Sequence, residues 1–486
     1  MPVARQPWPP PGFLWGAASS AYQVEGAREA DGKGPSVWDV WTNRHAVAGP
    51  GVTGNDAIRF HDRETYRRDI ARFREMGLTA YRFSVAWTRV LPDGTGAVNR
   101  AGLEHYRRFA SDLREAGIEP MATLYHWDLP QALAERGGWS NRDSVRWFEG
   151  YARAVADGLG DLVRHWVTVN EPYFDVLNAW AAEDRAAGNP SDPRLADDVA
   201  LPVPERLGES LTRWGHMLLA GAAATRALRG GPGGDRARIG PALPLSPALP
   251  ASDSEADAAA ARRVDGIVNR WALDPPLLGR WPEDVLAHAR ALGQSPALTE
   301  ADAASLREDG ARPDFLGVNY YAPSHIKADP GASDYHGVRG HDRPGEETFH
   351  NGSVRPDCLR DLLLRLRDEY AAPTLVVTEN GAGFEGGDDK PLSDGRVEDV
   401  RRCRYLMGHV AAVREAAEAG VEVGGYFYWS SHDNLEWLQG YGPRFGLIRV
   451  DFDTQRRTPK LSARAYAAVI RGDWGAAEAA VRAAGG

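Results

Sequence analysis

Trp166-Val-Thr-Val-Asn-Glu-Pro172 is a short apolar, β-rich run that closes on a carboxylate. Runs of the same kind recur along the chain: Phe13–Gln23, Thr79–Trp87, Glu119–Trp127, Trp166–Glu171, Arg238–Leu245, Asp314–Tyr321, Pro373–Asn380 and Val423–Ser431. Between them lie Thr65–Met76, Leu103–Ala116, Arg142–Gly158, Glu205–Leu228, Asp357–Tyr370 and Arg396–Ala419, where apolar residues step by three and four as on one helix face. Strands that each precede a helix favour a parallel sheet, and eight such units favour an α/β fold closed as a (β/α)8 TIM barrel with elaborated loops after its strands. An open doubly wound sheet is the second architecture this alternation allows.

No Pro/Gly/Ser linker divides the 486 residues, and the glycine-rich pieces Gly230–Gly234 and Gly383–Gly387 read as loops inside the repeat. Residues 1–486 are therefore expected to form a single catalytic domain, with 1–11 and 474–486 as peripheral tails. The long irregular stretches are His45–Asn55, Glu183–Val203, Pro247–Asp253 and Ala328–Asn351. In a barrel, the loops after strands build the face that carries chemistry.

A net charge of -10 with no long run of one sign excludes a general binder of nucleic-acid backbone. The first eleven residues hold no apolar core of signal-peptide length, and no later segment is apolar enough to span a bilayer, so a cytoplasmic protein is expected. Cys358 and Cys403 could form at most one bridge and have no metal-type spacing, which fits a reduced compartment. Sixteen tryptophans exceed what the length requires. Flat indole faces stack on sugars, but most of these residues are expected in the core.

Two glutamates end apolar strands: Glu171 in the opening run, and Glu379 in Thr374-Leu-Val-Val-Thr-Glu-Asn-Gly381. A carboxylate closing a buried strand is partly desolvated, so its pKa can be tuned. Glycoside cleavage with retention needs such a pair, one acid to protonate the leaving oxygen and one carboxylate about 5–5.5 Å away on the other face. Each glutamate alone would equally suit an ion pair; two at strand ends of one small barrel point to catalysis.

From Phe13 to about Tyr466 the chain resembles the glycoside hydrolase family 1 β-glucosidases. The segments that carry the resemblance are Phe13-Leu-Trp-Gly-Ala-Ala-Ser-Ser-Ala-Tyr-Gln23, Tyr81-Arg-Phe-Ser-Val-Ala-Trp87 and Leu124-Tyr-His-Trp-Asp-Leu-Pro130, with the two glutamate motifs. Asn269-Arg-Trp-Ala-Leu-Asp-Pro275, Asp314-Phe-Leu-Gly-Val-Asn-Tyr-Tyr321 and Tyr441-Gly-Pro-Arg-Phe-Gly-Leu447 follow in the expected order. The resemblance implies a retaining β-glycosidase, most simply a β-glucosidase, acting on terminal non-reducing β-D-glycosyl residues. Glu171 is implied as acid/base and Glu379 as nucleophile. Asn170 would hold the sugar 2-hydroxyl, while Arg82 and Tyr321 would bond the nucleophile, with Asn319 and Phe445 in support. Gln23, His126, Trp429, Glu436 and Trp437 would recognise the terminal sugar. Relatives that act on 6-phosphorylated sugars replace the acidic residue at the Glu436 position, so an unphosphorylated small-molecule β-glycoside or short oligosaccharide is expected. No cofactor, metal, nucleic-acid or membrane partner is called for, and oligomeric state cannot be read from these residues.

Two stretches depart from the family pattern. Asn178–Asp192 replaces a Gly-Tyr and His-Ala-Pro-Gly-like turn and is expected as an acidic, flexible loop facing the leaving group. Ser431 and His432 stand where apolar residues are usual, and His432 is expected to be a local hydrogen-bonding substitute rather than a catalytic group. Two other functions compete: a transglycosidase that passes the sugar to an alcohol acceptor, motivated by the altered loop, and an inactive sugar-binding homologue, against which both glutamates, Asn170 and Arg82 speak.

Overall fold

Eight of the apolar runs form strands: β1 (Leu14–Ala18), β2 (Ala80–Ser84), β3 (Glu119–Tyr125), β4 (His165–Asn170), β5 (Arg238–Pro244), β6 (Phe315–Asn319), β7 (Thr374–Asn380) and β8 (Val423–Trp429). The computed structural model that shows them describes residues 8–188, 201–332, 336–341, 343, 345–384 and 389–484. Each strand pairs in parallel with its neighbours in sequence, and β8 returns to β1 with Leu14 opposite Gly425 and Ala18 opposite Trp429. The sheet is a closed barrel and not the open alternative.

Helices α1 (Arg63–Met76), α2 (Arg100–Glu115), α3 (Ser144–Leu159), α4 (Pro172–Ala186), α5 (Leu207–Gly230), α6 (Glu255–Asp265), α7 (Trp271–Leu278), α8 (Pro356–Tyr370), α9 (Val400–Glu418) and α10 (Leu461–Ile470) lie between or after the strands. Local chemistry sets their limits. In α1 the Asp62 carboxylate accepts from Thr65 N at 2.8 Å, Gly77 stops the helix at φ 82°, and Tyr66, Ile70, Phe73 and Met76 bury one stripe against the barrel.

The barrel interior is filled by one side chain from every strand: Leu14, Ala80, Met121, Val167, Ala242, Phe315, Val376 and Phe427. Phe427 is accommodated because β1 carries Gly16; a Cβ there would meet the Phe427 ring at 2.2 Å. A second glycine has a comparable role near the site, where a Cβ on Gly381 would meet the Trp429 carbonyl oxygen at 1.6 Å. The ends of β7 and β8 can approach this closely only because residue 381 has no side chain.

The loops after strands carry small sheets of their own, including Ala248–Pro250 with Ser324–Ala328 and Val338–Gly340. At the amino-terminal end Trp8 packs edge-on against Phe13 and Trp15, and the last helix, Trp474–Ala484, buries Ala477 and Val481. Of the stretch Asn178–Asp192, residues 178–188 are not the flexible loop expected from its departure from the family pattern. Helix α4 runs through Ala186 with Ala181 and Ala182 buried, while residues 189–192 lie outside those described. The Ala-rich stretch Ala179–Ala187 has the high helix propensity that the missing turn residues concealed.

Candidate active site

Glu171 and Glu379 both sit beside irregularities in the sheet. The register of β4 against β5 shifts between Val167 and Asn170, and that of β7 against β6 shifts between Val377 and Glu379. A bulge re-aims the side chains at a strand end. Glu171 itself takes a left-handed conformation, φ 47° and ψ 62°, unusual for a residue with a side chain, and its N–H donates to the Ala242 carbonyl at 2.9 Å. Pro172 then starts α4, with its fixed φ suited to the first helical position.

Seven side chains join the glutamates into one buried network. The Arg82 guanidinium donates from Nη1 to Glu379 Oε1 at 2.5 Å and from Nη2 to Asn170 Oδ1 at 2.5 Å. Its Nε donates to Thr123 Oγ1 at 3.1 Å. Tyr321 Oη donates to Glu379 Oε2 at 2.8 Å. The Asn319 amide donates both to Glu171 Oε1 at 2.9 Å and to Asn170 Oδ1 at 3.0 Å, and its own oxygen accepts from Thr378 Oγ1 at 2.7 Å. Since Asn170 Oδ1 is taken by Arg82 and Asn319, its Nδ2 faces His126 Nε2 at 3.3 Å.

The two carboxyls are in unlike environments. Burial pushes Glu171 well above the ordinary carboxylate range and the charge of Glu379 pushes it further, against weaker relief from Asn319 and Arg82. Burial raises Glu379 too and is the larger effect, but the contacting Arg82, with Tyr321 and Asn319, opposes it, so Glu379 stays above its ordinary value by less than Glu171 does. Glu171 therefore keeps its proton at a pH where Glu379 has lost its own. His126 is held neutral, first by burial and then by the nearby Arg82 charge.

The residues expected to recognise sugar converge on the same strand ends. Trp429 ends β8, and the His126 ring stacks on it at 5.5 Å and on Trp437 at 6.0 Å. Trp437 is held from behind by Trp38, Trp127 and Tyr22. Phe445 packs with Ala18, Trp429 and Tyr321. Glu436 is raised to about 8 by desolvation and by the charge of Glu379. Gln23 belongs to a helical turn, Ala21–Val24, and not to the strand that its run suggests. Its two amide hydrogens are committed to Asn434 Oδ1 at 3.1 Å and Leu435 O at 2.8 Å, while Oε1 accepts from Ser20 Oγ at 2.6 Å. With both hydrogens and one lone pair committed, only a second lone pair on Oε1 is left for a ligand.

Thr123, Thr378, Trp127 and Asn434 are the members of this network that sequence reasoning missed. Trp127 donates from Nε1 to the Asn170 carbonyl at 3.1 Å and has φ 75°. Small polar residues inside an apolar strand, such as Thr123 and Thr378, were the available signal. His432 does not join the carboxylates. Its Nδ1 lies 3.0 Å from Ser431 Oγ and its Nε2 3.2 Å from Asp69 on α1. Burial alone would raise Asp69, but His432, Arg457 and Arg72 outweigh it and hold the carboxyl below its usual range. Among the described residues no group of three or more His, Cys, Asp or Glu is placed to hold a metal ion, and no helix is long and apolar enough to cross a membrane.

The chain that carries this pair of unlike carboxyls has relatives among known proteins. The family model for glycosyl hydrolase family 1 matches residues 5–473. Beta-glucosidase A of Enterobacter agglomerans is 46% identical over 465 residues, 96% of this chain and 95% of that protein. Thermostable beta-glucosidase B of Thermobispora bispora is 42% identical over 474 residues, 95% of this chain and 90% of that protein. The solved family 1 β-glucosidase of Thermotoga maritima superposes with a TM-score of 0.85 at 35% identity, covering 96% of this chain and 98% of that one. The same enzyme has been solved with deoxynojirimycin, and that structure superposes equally well, with a TM-score of 0.85. With its motifs, its barrel and this match over nearly its whole length, the chain belongs to glycosyl hydrolase family 1.

Proposed function

We propose that the protein is a retaining β-glucosidase that releases terminal β-D-glucosyl residues from small glycosides. The observation that carries this reading is the unequal pair: Glu379 stabilised as an anion by Arg82 and Tyr321, and Glu171 left protonated by burial and by its charged neighbour. Glu379 attacks the anomeric carbon as the glycosidic C–O bond breaks, and Glu171 gives its proton to the departing oxygen. Water then attacks the glycosyl ester; Glu171, now a carboxylate, takes its proton, and Glu379 leaves as the free carboxylate. Asn170 holds the sugar 2-hydroxyl, and Gln23, His126, Trp429, Glu436 and Trp437 recognise the rest of the ring. A buried carboxyl at Glu436, in either protonation state, supplies no cation to pair with a sugar phosphate, which favours an unphosphorylated sugar. Cys358 and Cys403 are buried and form no disulfide, which suits action in a reducing cytoplasm.

A screen of nitrophenyl glycosides covering both anomers tests chemistry, stereochemistry and sugar together. Turnover of the β-glucoside with retained configuration is expected. Cleavage confined to α-anomers, or inversion at C1, would sink the reading. Glu379→Gly should lose hydrolysis and regain turnover with added azide.

A further inference from the structure

Helix α4 begins next to Glu171 and extends about 20 Å from it to Ala186. Near its far end the Arg185 Nη1 atom donates to two carbonyls on different segments, Val47 O at 2.5 Å and Leu438 O at 3.0 Å. Leu438 lies in the 3-10 turn Trp437–Gln439, which follows Glu436 directly. Val47 follows the helix Val37–His45 and is tied to it by its N–H bond to the Trp41 carbonyl. That helix presents Trp38 against Trp437, with ring centroids 4.6 Å apart. One guanidinium therefore fastens both walls of the aromatic stack behind the sugar pocket. The segments also pack directly, because a Cβ on Gly440 would meet Val52 Cγ1 at 3.0 Å. Hydrogen bonds from a charged donor to backbone carbonyls are stronger than neutral ones and fix position as well as energy.

Within the glucosidase reading above, we propose that Arg185 is a positioning residue for sugar recognition, holding the Glu436–Trp437 segment in place from the helix that starts at the acid/base glutamate. The role belongs to the stretch where this chain departs from the family pattern, which makes α4 a brace for the sugar pocket as well as a wall on the leaving-group side. Arg185 acts through Glu436 and Trp437, so its removal weakens binding of the sugar itself, whatever leaving group is attached.

The test compares Arg185→Met and Arg185→Lys with the unaltered protein, using aryl β-glucosides with small and large leaving groups and free glucose as a competing inhibitor. In Arg185→Met, KM for every aryl glucoside and Ki for glucose are expected to rise together by about tenfold, the loss of one or two charge-assisted bonds, with kcat within about threefold. Arg185→Lys keeps the charge and reaches one carbonyl, so it should move both constants in the same direction by less. An unchanged glucose Ki in either folded variant overturns the proposal, as does a KM change that follows leaving-group size. A lowered melting temperature with KM and Ki intact would mark Arg185 as structural and overturn it too. Failure of the unaltered protein to cleave any nitrophenyl glycoside would instead refute the glucosidase reading, independently of Arg185.

Discussion

Arg82 Nη1 lies 2.5 Å from Glu379 Oε1, and both side chains are almost wholly removed from solvent, at 1% and 4% exposure. A buried ion pair of this kind is costly to break from one side, because the remaining charge has no partner. Arg82→Met should therefore raise the pKa of Glu379. Hydrolysis requires Glu379 ionised, so the acid limb of the kcat/KM profile moves to higher pH. The rate at the optimum should fall by at least about a hundredfold, a loss of the order found when a transition-state contact is removed. Steady-state kinetics from pH 4 to 9 would show both effects. An acid limb that stays in place would mean that Arg82 does not tune the nucleophile.

Glu171→Gln removes the proton donor while keeping the Asn319 contact available. General acid catalysis contributes roughly 10² to 10⁴ in rate, and only where the departing group needs a proton. Alkyl β-glucosides should lose about that much, while dinitrophenyl β-glucoside should be cleaved in its first step at a rate near that of the unaltered enzyme. Pre-steady-state measurement of phenolate release separates the two. A uniform loss across leaving groups would remove Glu171 from the acid role.

The proton on Glu171 depends on Glu379. Desolvation is the main cause of the raised pKa, with the Glu379 charge second. Glu379→Gln deletes that charge, so the Glu171 pKa should fall while staying above the ordinary carboxylate value. Carbon-13 NMR titration of labelled glutamate reads it directly in the inactive protein. A Glu171 pKa unmoved by Glu379→Gln would show that the two carboxyls are not electrostatically linked.

Phe427 fills the barrel interior over Gly16, and its truncation leaves a cavity among residues from all eight strands. Phe427→Ala should cost about 3–5 kcal/mol, lowering the melting temperature of a chain this long by about 3–5 °C. Activity at low temperature should survive, because Phe427 belongs to an apolar cluster that includes no residue of the carboxylate network. A calorimetric scan beside kinetics at 20 °C would check both parts.

The eight runs were legible because strands buried on both sides read as continuous apolar segments, and their alternation with amphipathic helices leaves few architectures open. Glu171 and Glu379 stood out for the same reason, as charges ending apolar runs. What could not be read was anything set by tertiary contact. The left-handed backbone of Glu171 comes from pairing with β5, and no residue type announces it. Gln23 looked like a free amide because the partners that occupy it, Asn434 and Leu435, are more than four hundred residues away. Ser431 and His432 seemed misplaced near the pocket until Asp69 of α1 supplied the polar partner that makes them a packed pair. The residues following Asn178 looked like a loop because comparison with a family turn outweighed the helix propensity of their alanines.

The plug of eight side chains, one from each strand, gives the sugar site of the proposed glucosidase a closed floor, so that it works as a chamber whose doorway is at the carboxyl ends of the strands. The departing alcohol, the incoming water and the freed sugar share that doorway and take turns. Such traffic gives a double-displacement rhythm at the level of the whole molecule. It also makes the released monosaccharide a competitor for the next substrate, so throughput in a sugar-rich setting is governed by how fast the chamber empties.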